Sequence, residues 1–173
     1  MDLSNKGDYV IDPYESPPRK KRMYFGHPIN TYDTALEAKL VAALEAAFPD
    51  YEIVNPNRPE HQVGYAEWEK THVDADGKPT GMGYFFEVVL PTCDAGAHLA
   101  WPDKMFGKGV FGEADWQQKR ELPTWEIFPD GSIATLPTPL DPSRCLTREE
   151  TAARLWDEPE KVSTVKVPFK PYQ

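Results

Sequence analysis

The sequence predicts an α/β fold, a Rossmann-like (flavodoxin-like) parallel sheet with flanking helices and irregular N- and C-terminal extensions. Two apolar runs, residues 23–27 and 51–54, have the length of buried strands, and an amphipathic helix is predicted between them. Strand, helix and strand in this order, with short connections, are typical of a parallel sheet. With 173 residues and 40% hydrophobic content, the chain can form one globular domain with a real core.

The first half of the chain carries clear start and stop signals. Thr34 and Glu37 form a capping box that opens the first helix. After the second strand, residues 60–80 are polar and predict a short helix followed by a mobile loop. Residues 81–93 fit a helix or a strand. We favour the helix, because the apolar run 95–101 then forms a natural third strand.

The second half continues this alternation. A further helix carries Glu113, and residues 125–128 and 132–136 predict two strands joined by a Pro-Asp-Gly turn. Residues 147–150 form a second capping box, which opens a short helix that ends near Trp156.

Both ends of the chain are rich in proline and polar residues. We therefore expect an N-terminal arm at residues 1–21, a single α/β domain at residues 22–157 and an extended tail at residues 158–173. The basic run at residues 19–22 is similar to a nuclear-localisation or nucleic-acid patch. The other interpretation, a solvated edge beside the first strand, is favoured because the rest of the chain is acidic.

Composition excludes several classes of function. A net charge of −9 argues against capture of duplex nucleic acid, and no apolar run has membrane length. The two cysteines and four histidines lack the spacing of a metal site, so no metal is expected. The absence of GxGxxG and GxxxxGK(S/T) motifs argues against dinucleotide oxidoreductases and P-loop enzymes. Composition and cysteine usage predict a reduced, cytoplasmic protein.

The most informative segment is the glycine-containing turn at residues 106–113, which follows the predicted third strand. Glycines such as Gly107 and Gly109 let a loop approach a ligand, and a helix N-terminus offers free N–H groups to an anion or a hydroxyl-rich group. Glu113, expected in the first turn of this helix, would point over the carboxyl edge of the sheet, where ligands bind in open α/β folds.

Three side chains are candidates for catalysis. A carboxylate pair such as Asp103 and Glu113 suits chemistry at an anomeric carbon, with one as nucleophile and the other on a hydroxyl or the leaving group. Tyr24 could hold the nucleophile through its phenol. The alternatives are a solvated first-turn glutamate for Glu113, a turn residue for Asp103 and core packing for Tyr24.

Further polar and small residues lie at the predicted strand ends, where they could contact a ligand. His27, in the loop after the first strand, could meet a phosphate or a base. The substrate-binding candidates are Gly26, His27, Pro28, Asn30, Asp94, Gly107 and Gly109.

These motifs resemble the nucleoside 2-deoxyribosyltransferase-like superfamily, small α/β enzymes that include nucleoside 5′-monophosphate N-glycosidases. The resemblance covers about residues 22–120. It rests on the strand Met-Tyr-Phe-Gly-His-Pro at residues 23–28, on Asp94 before an apolar strand, and on Asp103 followed by the glycine turn and Glu113.

The resemblance implies an N-glycosidic bond as the target, with no metal and no organic cofactor. Glu113 would be the nucleophile at C1′, and Tyr24 would position it. Asp103 would engage the sugar hydroxyls, and Asp94 would lie near the base. The spacing from Asp103 to Glu113 exceeds that of the family, and this departure bears on the role of Asp103. The family's Gly-Ser phosphate loop is not evident after strand one, so both a nucleoside and a nucleotide stay open as the substrate.

Further implications and alternatives accompany this interpretation. Family members commonly form homo-oligomers whose subunits complete each other's sites, so a homo-oligomer is implied. The acceptor of the sugar decides the reaction: water would make the enzyme a hydrolase, and a second base would make it a transferase. The alternatives are a nucleotide-binding sensor without turnover, an NAD glycohydrolase with nicotinamide as leaving group, and an interaction module that binds no small ligand.

Overall fold

A computed structural model describes residues 18–155 of the chain, and it contains the predicted mostly parallel sheet. The predicted tail and all but the last residues of the predicted arm lie outside this range. The five strands have the order β2-β1-β3-β4-β5. Strands β1 to β4 run parallel, and β5 pairs antiparallel with β4 through a hairpin. The strands are β1 Lys21–Gly26, β2 Tyr51–Val54, β3 Ala95–Leu99, β4 Thr124–Ile127 and β5 Ile133–Thr135.

Helices flank this sheet, and the α/β prediction is therefore confirmed. Residues 81–93, which fitted a helix or a strand, are mostly helical, as favoured above. The segment starts as α-helix, widens into a π-helical turn and ends as a 3-10 turn. We label that whole segment α3. The helices are α1 Ala35–Ala47, α2 Pro59–Thr71, α3 (Met82–Tyr84, Phe85–Val89 and Leu90–Thr92), α4 Lys108–Gln118 and α5 Arg148–Leu155, with further 3-10 turns at Ile29–Thr31 and Pro142–Arg144.

Side-chain alternation along β1 divides the core between the two faces of the sheet. Met23 and Phe25 pack with α1, whereas Tyr24 points to the opposite face and packs with α3. Successive side chains of a strand point to opposite faces, so Gly26 lies on the same face as Tyr24. The site described below lies on this second face.

Strand β3 combines complete burial with small side chains. All five of its residues are buried, and Ala95, Ala97 and Leu99 join the cluster on the α1 face. The remaining two, Gly96 and His98, therefore face the same side as Tyr24. Helix α4 packs on that side.

The described part of the chain, residues 18–155, contains no helix with the length and apolar character needed to cross a membrane.

Candidate active site

The candidate site lies where β1 and β3 are neighbours at the centre of the sheet. In the order β2-β1-β3-β4-β5, the chain continues from β1 to one side and from β3 to the other. In open α/β sheets, this topological switch leaves a crevice outside the carboxyl ends of the strands where ligands bind. Gly26, the last residue of β1, pairs in register with His98 of β3 at this edge.

Glu113 of α4 reaches this edge and contacts β1. The hydroxyl of Tyr24 donates a 2.8 Å hydrogen bond to Oε1 of Glu113. Glu113 is 5% exposed and Tyr24 is 1% exposed. The predicted direction of Glu113 is confirmed, but its position is corrected. It lies in the second turn of α4, not the first, and burial rules out a solvated glutamate that serves the helix dipole.

The electrostatics of Glu113 are those of a buried acid. Burial raises its pKa to about 8, and the hydrogen bond from Tyr24 acts in the opposite direction by favouring the carboxylate. No lysine or arginine forms an ion pair with it among residues 18–155. Burial and then the charge of Glu113 raise the pKa of both Tyr24 and Tyr32. Acids whose pKa is shifted strongly by burial are concentrated at functional sites.

Gly26 lets three groups come together at the end of β1. A Cβ atom on this glycine would lie 2.5 Å from His98 Nδ1 and 3.0 Å from Glu113 Oε2. A larger residue would force the His98 ring to shift and would crowd the Glu113 carboxyl group, so glycine allows this close approach. The prediction that Gly26 lies at the site is thus supported by its contacts, although the reason is close packing of protein groups.

His98 and Gln117 belong to the same cluster and were not predicted. His98 Nε2 lies 2.9 Å from Gln117 Oε1, and Gln117 Nε2 donates to the carbonyl of Ala95. Burial lowers the pKa of His98 to about 4, so this imidazole is neutral at physiological pH. The four-residue spacing between Glu113 and Gln117, which places both on one helical face, was a sequence signal for this arrangement.

Gly96 is required for the same contact. A Cβ atom at this position would lie 1.8 Å from Gln117 Oε1 and 2.6 Å from His98 Nε2. The absence of a side chain on β3 thus gives the Gln117 amide its place against the strand.

His27 is engaged inside the protein. It is 4% exposed, its ring stacks on Phe25, and its Nδ1 lies 2.9 Å from the Phe25 carbonyl oxygen. Its Nε2 lies 3.5 Å from Oε2 of Glu37. The other carboxylate oxygen of Glu37, Oε1, accepts hydrogen bonds from the side chains of Asn55 and Asn57. This network anchors the loop after β1 to α1 and β2. Because the imidazole of His27 is buried, it is not exposed for the expected contact with a phosphate or base.

Pro28 and Asn30 lie in the same loop. Pro28 is buried, and its carbonyl oxygen accepts hydrogen bonds from the backbone N–H and hydroxyl of Thr31. Asn30 is half-buried, and its Oδ1 is buried without a hydrogen-bond partner among the described residues. Asn30 therefore stays a candidate for binding a donor group.

The glycine turn differs from the expected ligand loop. Gly109 lies within α4, and its Cα packs towards Met82 of α3, where an added Cβ would lie 3.2 Å from the methionine Cε. Gly107 is the N-cap of α4 with φ −57°, so it does not use positive φ. The N–H of Lys108 donates to Oγ1 of Thr151 in α5. The first turn of α4 is thus partly capped by the protein itself.

The two aspartates are engaged by groups other than Tyr24 and Glu113. Asp103 forms a partly exposed ion pair with Arg154, which holds the pKa of Asp103 below its usual range. Asp94 precedes β3 and accepts a hydrogen bond from the backbone N–H of Arg22 at the start of β1. Because the strands are parallel, this places Asp94 at the amino edge of the sheet, and the expected convergence with Glu113 at the carboxyl edge is wrong for this residue.

The chain matches no family model, no curated protein and no solved structure in the comparisons made. Within residues 18–155, no three side chains of the metal-ligating types His, Cys, Asp and Glu form a cluster.

Proposed function

We propose that this protein cleaves or transfers the N-glycosidic bond of a nucleoside or nucleoside 5′-monophosphate, with Glu113 as the nucleophile at C1′. The observation that carries the proposal is the buried Glu113 carboxyl, hydrogen-bonded to Tyr24 at the switch point of the sheet. The resemblance of the sequence to the nucleoside 2-deoxyribosyltransferase-like superfamily names the same two residues for these roles.

The environment of Glu113 suits a reaction that develops positive charge. Cleavage of a glycosidic bond passes through an oxocarbenium-like transition state, which a carboxylate stabilises. In a buried site this attraction is stronger than in water, because the local dielectric is low. The burial that raises the pKa of Glu113 therefore also makes its ionised form an effective partner for a cationic sugar carbon.

Tyr24 orients the nucleophile. Its hydroxyl occupies Oε1 and leaves Oε2 as the atom to attack C1′. The same hydrogen bond favours the ionised carboxyl group that the attack requires.

Protonation offers a second role for the same residue. With a pKa of about 8, Glu113 is roughly nine-tenths protonated at neutral pH in the unliganded protein. A protonated carboxyl group can donate its proton to a leaving base, as the general acid of a glycosidase does. A nucleophile needs the ionised form and a general acid needs the protonated form, so the pH dependence of the rate distinguishes the two.

The finer points of this function extend the proposal. Binding of the sugar hydroxyls by Asp103 stays a prediction, since Asp103 pairs with Arg154 in the structure. Homo-oligomeric assembly and a cytoplasmic location also stay predictions that rest on the sequence. The choice between water and a second base as acceptor decides between hydrolase and transferase.

The test is chromatography of the free base released from nucleosides, deoxynucleosides, their 5′-monophosphates and NAD, each with and without a second base. We expect release from one substrate class by the natural protein and at least a 10³-fold lower rate in Glu113→Gln. The matched control is Asp115→Asn, two residues further along α4, where the carboxylate forms a surface pair with Lys119. This control should retain the full rate.

Other outcomes of this assay would indicate a different function. Release of nicotinamide alone would identify an NAD glycohydrolase. Absence of release from every substrate, with a thermal shift on addition of a nucleotide, would indicate a binding protein without turnover. Equal rates in Glu113→Gln and the natural protein would remove Glu113 from the mechanism.

A further inference from the structure

The orientation of the Gln117 amide determines the tautomer of His98. Gln117 Nε2 donates to the carbonyl of Ala95 at 3.0 Å, so its Oε1 is the atom that faces His98. An amide oxygen only accepts hydrogen bonds, and it lies 2.9 Å from His98 Nε2. His98 Nε2 therefore carries the proton, and Nδ1 of the neutral ring carries a lone pair.

That lone pair has no donor in the arrangement described. His98 is fully buried, and Nδ1 is a buried atom without a hydrogen-bond partner among residues 18–155. Buried acceptors of this kind nearly always find a donor, because an unsatisfied one costs free energy. Nδ1 and Glu113 Oε2 both face the position of a Cβ on Gly26, at 2.5 and 3.0 Å from it.

We propose that His98 is a positioning residue for Glu113, whose protonated carboxyl group donates a hydrogen bond from Oε2 to Nδ1 of His98. The terminal torsion of a glutamate is broad, so rotation of the carboxyl group can turn Oε2 towards Nδ1, which faces the same position on Gly26. Every donor then has one acceptor: Tyr24 donates to Oε1, Oε2 to Nδ1, and Nε2 to Gln117.

The charges around Glu113 favour this neutral, hydrogen-bonded form. The titratable groups that face it are Tyr24 from β1, Tyr32 from the loop after β1 and His98 from β3. Burial and the charge of Glu113 raise the pKa of both tyrosines, and burial lowers that of His98, so all three are neutral. Within residues 18–155, no facing group offers a positive charge to a carboxylate, whereas His98 offers an acceptor to the acid.

The hydrogen bond itself does not depend on any reaction, while its role in holding a nucleophile rests on the proposed function. Loss of the Glu113 proton breaks this contact and frees Oε2 for a ligand. The Gln117–Ala95 contact keeps the imidazole in the same tautomer before and after that loss.

The test is ¹⁵N NMR of the full chain with labelled histidine, without substrate. The His98 signals are assigned by their disappearance in His98→Phe. We expect the Nε2-protonated tautomer, with an Nδ1 shift that moves as Glu113 titrates near pH 8. In Glu113→Gln the side-chain amide still donates but does not titrate, so the Nδ1 shift should be independent of pH. In the control variant Asp115→Asn, the Nδ1 shift of His98 should depend on pH as it does in the natural protein.

Two results would overturn the proposal: a proton on Nδ1, or an Nδ1 shift that stays constant while the ¹³C signal of the Glu113 carboxyl titrates. A second measurement uses this ¹³C signal in folded His98→Phe. An acceptor for the protonated acid raises its pKa, so we expect the pKa of Glu113 to fall when Nδ1 is removed. An unchanged or higher value would also contradict it. Neither measurement requires turnover, so a failed base-release assay leaves this test intact.

Discussion

The hydroxyl of Tyr24 and the carboxyl group of Glu113 form a 2.8 Å hydrogen bond between residues 89 positions apart in the sequence. Both side chains are almost completely buried, and no cation pairs with the acid among the residues that the structure describes. This bond joins the central strand β1 to helix α4 at the edge where α/β sheets bind ligands. It is the relationship from which the proposed chemistry starts.

Replacing Tyr24 by Phe removes this donor and leaves the ring in place. We expect a loss of roughly 1–2 kcal/mol in the free energy of unfolding, because Glu113 loses a buried partner. Since the hydrogen bond lowers the pKa of Glu113, its removal should raise that pKa and shift the pH dependence of the rate to higher pH. Rates of base release across pH measure the shift.

The matched control is Tyr84→Phe, which removes another buried hydroxyl, one that contacts His61. A comparable loss of stability with an unshifted pH profile is expected there. Identical pH profiles in all three proteins would show that Tyr24 does not act on the titrating group.

The pH dependence of kcat/KM tests the nucleophilic role. If Glu113 attacks as a carboxylate, the rate should rise tenfold per pH unit below its pKa of about 8 and become constant above it. The slope should vanish in any residual activity of Glu113→Gln. A rate that instead falls above pH 8 would assign Glu113 as the general acid.

The burial of Glu113 should make stability fall with rising pH. Its folded pKa, about 8, lies above the ordinary value of 4.5, so the folded protein holds this proton more tightly than the unfolded chain does. The resulting stability is present below about pH 4.5 and is lost as the pH rises to about 8. The free energy of unfolding of Glu113→Gln, relative to that of the natural protein, should therefore increase across this window by up to about a few kcal/mol.

Urea denaturation at about pH 5, 7 and 9 measures that difference in unfolding free energy, which should level off at the highest of these pH values. Asp115→Asn provides the baseline for a partly exposed carboxylate on the same helix. A difference that is constant with pH would mean that Glu113 is ionised in the folded protein throughout.

Two glycines should respond in opposite ways to alanine. At Gly26 the new methyl group would collide with His98 and Glu113, and we expect a loss of about 1–3 kcal/mol and a disturbed site. At Gly112, inside α4, it would lie 3.4 Å from Phe86, an ordinary contact, and helix propensity should stabilise by up to about 1 kcal/mol. Urea midpoints of the two variants measure this, and equal destabilisation would contradict the difference in packing.

Local signals predicted the secondary structure well. The second capping box forms as expected, because Thr147 and Glu150 exchange hydrogen bonds. At the first, Thr34 accepts from the N–H of Glu37 as expected, but the Glu37 carboxylate accepts from the N–H of Asp33, one residue before the N-cap. Each signal acts within one helical turn, so it does not need the rest of the fold.

The glycine turn shows why local patterns did not suffice for the site. Glycine is compatible with a ligand loop and with a close helix contact, and only the neighbour distinguishes them. Here the neighbour is α3, whose Met82 and Phe86 lie against Gly109 and Gly112. The same limit applies to Asp103, because nothing near it in the sequence indicates its pairing with Arg154.

The sequence by itself determined the succession of strands and helices along the chain and the helix that carries Glu113. These depend on periodicity and capping, which act over a few residues. Only the tertiary structure decided the environment of the acid: its burial, its raised pKa, and its place beside His98 and Gly26. Solvation and electrostatics depend on every group within a few ångströms in space, and folding brings those groups together from distant parts of the chain.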